Sequence, residues 1–267
     1  MGEIASTLLV LVLLCASAGL GLVVGSRLPE HHRGRETVEL MQLIIGLLAT
    51  FAAIVLGLLT ASVKQAYDNA ALDRQRYALQ LNSLDACLRD YGPETGSVRS
   101  AIHSYAAAVI ASTWPTEAPP PGVSYPDTSH MPHIGATPVL AQLIDKVGLE
   151  VSKLVAADPQ RARIAELCLD RFKDVSRARL SVIEDTQSEL FDPFYQILVI
   201  WLMIMFGCFG LVAPRNGLSI AIIVLSAASL SSVVFVILDL SRPYGGFFSI
   251  PSTAMRDALN SMLSSVP

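Results

Sequence analysis

The sequence predicts an all-α integral membrane protein: four transmembrane helices in two hairpins, with a soluble helical bundle inserted between them. Three observations carry that prediction. Four long uncharged runs hold most of the hydrophobicity. The stretch between the second and third runs has ordinary soluble composition. No segment shows the period-two alternation of a strand. Overall the chain has 267 residues, 52% hydrophobic and 16% charged, against about 25% charged in soluble domains. Its formal charge of −4 and scattered basic residues exclude a nucleic-acid partner, which would need clustered Lys and Arg.

The predicted spans are residues 4–24, 40–63, 194–213 and 217–238. Each is long enough to cross roughly 30 Å of hydrocarbon at about 1.5 Å per residue. One such run could be a buried core helix; four call for a bilayer. The first reads as an uncleaved anchor, because Met1, Gly2 and Glu3 supply no positive flank and the run exceeds a signal-peptide core. Hairpin 1 therefore occupies 1–63, the soluble domain 64–192, hairpin 2 193–240, and a tail 241–267. Pro214, Arg215 and Asn216 turn the second hairpin, and Asp192 with Pro193 precede its first helix as cap and first-turn residue.

Proline and glycine divide the soluble domain into helices at 64–91, 94–113, 138–156 and 159–190, the first continuing the second span. Gly92-Pro93 and Trp114-Pro115 are stops, and Asp158-Pro159 caps the last helix. Residues 115–137, with Pro115, Pro119, Pro120, Pro121, Pro126 and Pro132, form a loop. Ile164, Leu167, Cys168, Phe172, Val175 and Val182 recur at three- and four-residue spacing, so one face of the last helix is buried. Asp170 with Lys173 and Asp174 with Arg177 pair on its other face. Leu72, Leu79, Leu84 and Leu88 play the apolar part in the first soluble segment.

Little here points to chemistry. Cys15, Cys87, Cys168 and Cys208 show no metal or redox spacing and read as small apolar filler, a Cys87–Cys168 contact being left open. His130 and His133 flank Pro132 without a carboxylate or thiol partner, and His31 and His32 read as solvated loop residues, so no metal is expected. No phosphate loop, nucleophile elbow or zinc-protease helix occurs, and neither an enzyme nor a cofactor is indicated.

The spans say more. On a wheel of about 100° per residue, Ile44, Leu48, Phe51, Val55 and Leu58 cluster on one side of the second helix. Gly46, Ala49, Ala53, Gly57 and Thr60 fall opposite. The first helix carries a small stripe of Ser17, Gly21 and Gly25. Small residues let backbones approach in lipid, so the two small faces are expected to meet. The bulky face then points at lipid or at a dry constriction around an oligomer axis. No charge lies deep in a span, which argues against ion-coupled transport but not against a channel gated by apolar rings. Asp239 and Arg242, three apart at the last span's edge, suggest an ion pair or a pore mouth. By Lys and Arg count, Arg27, Arg33, Arg35 and Arg215 stand against a larger group on the other side: Lys64, Arg74, Arg76, Arg177, Arg179, Arg242 and Arg256. The total count favours a cytoplasmic soluble domain with both termini inside, while the arginines flanking the first helix favour the opposite orientation.

Three stretches carry a family resemblance: LGLLTASVKQAYDNAALDRQRYALQLN (56–82), SRARLSVIEDTQSELFDPFYQILVIW (176–201) and LDLSRPYGGFFSIPSTAMRDAL (238–259). In these, and in its order of hairpin, helical insert, hairpin and tail, the chain resembles the bacterial bestrophin-like family of unknown function. The most specific part is Asp239-x-x-Arg242-Pro243 followed by Gly245-Gly246. The resemblance implies a bacterial inner-membrane protein. It also implies similarity to bestrophins, which are pentameric anion channels with four membrane helices per subunit. By that analogy the second helix lines a pore, with Leu48, Phe51 and Val55 as its apolar neck, and the partners are the lipid bilayer and further copies of the chain. A membrane-anchored scaffold or sensor, its soluble helices binding a partner, is the other class the sequence allows.

Overall fold

The computed structural model describes residues 2–27, 34–131, 137–154, 158–185 and 191–264. The expectations for His31, His32, Arg33 and His133 lie outside the described residues, as do the last residues of the helices expected to end at 156 and 190. Helices make up all the regular structure described: α1 (Gly2–Arg27), α2 (Arg35–Tyr91), α3 (Gly96–Thr113), α4 (Pro138–Ser152), α5 (Pro159–Glu184), α6 (Phe191–Val212), α7 (Gly217–Leu240) and α8 (Thr253–Ser264). α1, α6, α7 and the apolar part of α2 are long and apolar enough to cross a membrane.

The sequence explains the helix boundaries. α2 ends where Gly92 adopts a φ of 145°, a backbone conformation that side chains with a Cβ rarely take. The Asp158 carboxylate accepts the Gln160 and Arg161 N–H groups, with Pro159 in the first turn of α5. The Asn216 side chain accepts from the Ser219 N–H at the start of α7. Among the described residues α6 begins at Phe191, so Pro193 falls in its first turn; the expectation that the Asp192 side chain caps it lies outside what is described.

The chain forms two compact units. The first comprises Met1–Tyr67, Glu189–Arg242 and Gly246–Phe248; the second comprises Asp68–Ser188, Pro243–Gly245 and Ser249–Pro267. In the first unit, Val10, Leu14 and Ala18 of α1 bury against Leu198, Leu202 and Phe206 of α6, with Ala52 of α2 and Ala227 and Val234 of α7 completing the core. The four-residue spacing puts each set on one stripe of its helix.

In the second unit α3 is the central helix. Its run Ala106, Ala107, Ala108, Val109, Ile110 is buried on every side, and small side chains make that possible. α4 packs Leu140, Ile144, Val147 and Val151 toward it. α2 contributes Ala70, Arg74, Tyr77, Leu81, Leu84, Leu88 and Tyr91, all buried, at alternating four- and three-residue steps. Leu72 and Leu79, expected among the packed residues, are exposed because they lie off that stripe, and Leu167 of α5 is exposed likewise. The segment expected to be a tail is structured. α8 buries Met255, Ala258, Leu259 and Met262, and Arg256 reaches both the Glu117 carboxylate and the Ala118 carbonyl.

Candidate functional site

α2 sets the geometry of the membrane unit. Ile45 and Ala52 are buried, with Ala49, Leu56 and Leu59 partly so, and together they make one packed arc. Leu43, Ile44, Leu47, Phe51, Ile54, Val55 and Leu58 are exposed, Phe51 by 50%, while Leu48 is half-buried. Directly across from the packed arc lie Leu43, Leu47, Ile54 and Leu58, with Phe51 beside them. The bulky side drawn from the wheel is thus exposed, but its centre shifts toward Leu47 and Ile54.

The small stripes do not meet as expected. A Cβ at Gly46 or Gly57 would touch nothing, and Ala53 is exposed. The α1 stripe packs on α6 instead. A Cβ at Gly21 would overlap the Gly207 carbonyl, one at Gly25 would press on Leu211, and one at Gly210 would overlap the Ala18 carbonyl. The Ser17 hydroxyl donates to the Met203 carbonyl at 2.6 Å. The reason is reciprocal: α6 carries Gly207 opposite Ser17 and Gly21 and Gly210 opposite Ala18, so both backbones can approach. Wheel reasoning on α1 and α2 alone did not include these glycines.

Asp239 is buried in the last turn of α7. Its carboxylate accepts from the Phe247 N–H at 2.6 Å and the Phe248 N–H at 2.7 Å. The Arg242 N–H also donates to the Asp239 carbonyl, at 3.1 Å. Folding the loop back brings Gly246 onto the carboxylate, where a Cβ would sit 2.7 Å from its oxygens.

The second unit holds charge that the sequence reading missed. Arg74, 2% exposed, lies over the rings of Tyr244 at 4.7 Å and Trp114 at 5.1 Å. Its Nε donates to the Tyr244 hydroxyl at 3.4 Å, and its Nη2 has no partner among the described residues. Trp114 in turn donates to the Ile250 carbonyl. The signal was present: a basic residue standing on an apolar three-four stripe. Next along α2, Tyr77 and Tyr105 share a 2.5 Å hydrogen bond, and burial pushes both phenols up. Asp85 receives Arg99 on both oxygens at 3.0 Å and His103 Nε2 at 2.9 Å. Burial raises this carboxyl, but the hydrogen bonds from His103 and Arg99 outweigh it and hold Asp85 below the ordinary carboxylate range. Cys87 and Cys168 are joined as a disulfide, which corrects their reading as filler; Cys15 and Cys208 remain free. Among the described residues no three His, Cys, Asp or Glu gather as a metal site would need.

Comparison with known proteins places this architecture. The Bestrophin-like domain profile matches residues 12–255. The structure is similar to that of a bacterial bestrophin homologue from Klebsiella pneumoniae, at 15% identity and a TM-score of 0.68, covering 97% of this chain and 99% of that one. A tryptophan-to-alanine variant of that homologue aligns at 14% identity and TM-score 0.68, over 99% and 98%. A crystal structure described as a membrane protein, with a proline-to-alanine change, aligns at TM-score 0.65 and 14% identity, over 97% of each chain. At these identities the likeness is one of fold. No curated protein matches the chain.

Proposed function

This chain belongs to the bestrophin-like family, and we propose that copies of it assemble around an ion-conducting path lined by the membrane part of α2. One observation carries the reading: Leu43, Leu47, Ile54 and Leu58 lie opposite the arc of α2 that packs on its own bundle and are exposed, with Ile44, Phe51 and Val55 exposed beside them. A helix at the margin of its bundle with such an arc suits the innermost position of a ring. There Ile44, Leu48, Phe51, Val55 and Leu58, joined by Leu47 and Ile54, would line an apolar constriction of the kind that gates by dewetting. Gly46, Ala53 and Gly57, open in the single subunit, would let a neighbouring copy approach. Five copies is the number taken by analogy with bestrophins, and a small anion is the first ion to test. We place the protein in the bacterial inner membrane with the second unit in the cytoplasm, as the Lys and Arg distribution favours.

The test is current across planar bilayers holding the purified oligomer, wild type beside Phe51→Ala. An ion-selective current that Phe51→Ala enlarges or makes less selective supports the apolar neck. Silence from a well-folded oligomer across several salts sinks conduction. A current indifferent to Phe51→Ala sinks the assignment of α2.

A further inference from the structure

After α7 the chain passes into the second unit at Pro243–Gly245, returns to the first for Gly246–Phe248, and goes back at Ser249. The three residues that return end in two exposed aromatics. Phe247 is 85% exposed and Phe248 47% exposed, with their rings edge to face at 6.0 Å. Large apolar side chains presented together in this way mark an interaction surface.

The pair is held in place. Both oxygens of Asp239 are committed to the Phe247 and Phe248 N–H groups, and Gly246 lies against the same carboxylate with no room for a side chain. Asp239 belongs to the last turn of α7, a 24-residue apolar helix. At about 1.5 Å per residue such a helix is roughly 36 Å long, slightly more than the ~30 Å hydrocarbon core. Its end therefore lies among the headgroups, and the clamp pins the two rings to that depth. We propose that Phe247 and Phe248 form an interfacial anchor, inserted at the headgroup–acyl boundary of the bilayer and positioned there by Asp239. Apolar rings at this level exchange water for acyl chain while the backbone beside them stays hydrogen-bonded. The proposal rests on α7 spanning the membrane and not on conduction, so a silent bilayer recording leaves it standing.

The full-length protein in phosphatidylcholine vesicles tests it. Phe247→Trp adds one indole to Trp114 and Trp201, and its emission is taken as the difference from wild type. The expected result is loss of the added emission when the lipid is brominated near the top of its chains, with little loss on adding acrylamide. Adding Asp239→Asn to Phe247→Trp should shift quenching from the lipid to acrylamide, while circular dichroism confirms that the helices persist. Acrylamide quenching without lipid quenching in the single variant means that the loop faces water and overturns the anchor. Protection from both quenchers means that another protein surface covers the rings and overturns it equally. Unchanged lipid quenching in a folded double variant removes Asp239 from the account.

Discussion

Asp85 keeps its negative charge in surroundings that would otherwise neutralise it, because Arg99 and His103 reach it together. Truncating one member of a buried, hydrogen-bonded charge pair costs about 3 kcal/mol or more. Asp85→Asn is therefore expected to lower thermal stability in detergent by that order. Asp170→Asn, which loses only the exposed pair with Lys173, should change it by no more than about 0.5 kcal/mol. The pH dependence has a definite sign. The folded carboxyl titrates below its unfolded value, so its contribution is complete above about pH 4 and is lost as pH falls from there through the folded value. Melting temperatures measured through the acid range should converge for wild type and Asp85→Asn. Arg74 works differently. Two aromatic faces, each a favourable cation–π partner worth about 0.5–2 kcal/mol, hold it, and it ties Tyr244 and Trp114 to α2.

At the level of elements, the α1–α6 contact depends on the absence of side chains. Gly21 and Gly210 each face a backbone carbonyl of the partner helix, and backbone cannot move aside as a side-chain tip can. Gly210→Val should cost at least the ~1–3 kcal/mol typical of overpacking, read as a lower melting temperature and a broader size-exclusion peak. Gly46→Ala, which fills open space in the subunit, should leave subunit stability within about 0.5 kcal/mol. If Gly46 does lie against a neighbouring copy, Gly46→Leu should reduce the oligomer fraction without altering helix content. α2 itself shows how one helix serves two environments. Its three-four apolar rhythm continues from Ile45 to Tyr91, but outside the rhythm the exposed residues, mostly apolar before Val63, come to include Gln75, Arg76, Arg89 and Asp90 beside Leu72 and Leu79.

For the whole molecule, the Cys87–Cys168 disulfide joins α2 to α5 across 81 residues of chain. Closing a loop of that length in the unfolded chain is worth about 4.5 kcal/mol on the entropic account, so Cys87→Ser should destabilise the oxidised protein by that order. The bond also reports on orientation, because a cytoplasm keeps thiols reduced. In cells quenched with acid, with Cys15 and Cys208 replaced by alanine, a cytoplasmic second unit predicts that both thiols take up a polyethylene-glycol maleimide and shift on a gel. Full protection until a reductant is added would put the second unit on the outer side and reverse the orientation proposed above.

Composition and periodicity sufficed for the all-α class, the four apolar helices, the Asp158 cap and the Gly92 stop, because each depends on neighbours in sequence. The charge pairs Asp170–Lys173 and Asp174–Arg177 were legible for the same reason. Which faces meet was not. α1 had a small stripe that could have met α2 or α6, and only the packed structure chose α6, where glycines on both sides allow the closest approach. Spacing pointed Asp239 at Arg242, but that its carboxylate takes the backbone N–H groups eight and nine residues on was not legible. Asp85 finds Arg99 and His103 only because α3 folds back on α2, and Cys87 finds Cys168 only across the second unit. These contacts depend on where elements separated in sequence come to rest, and local spacing holds no record of that.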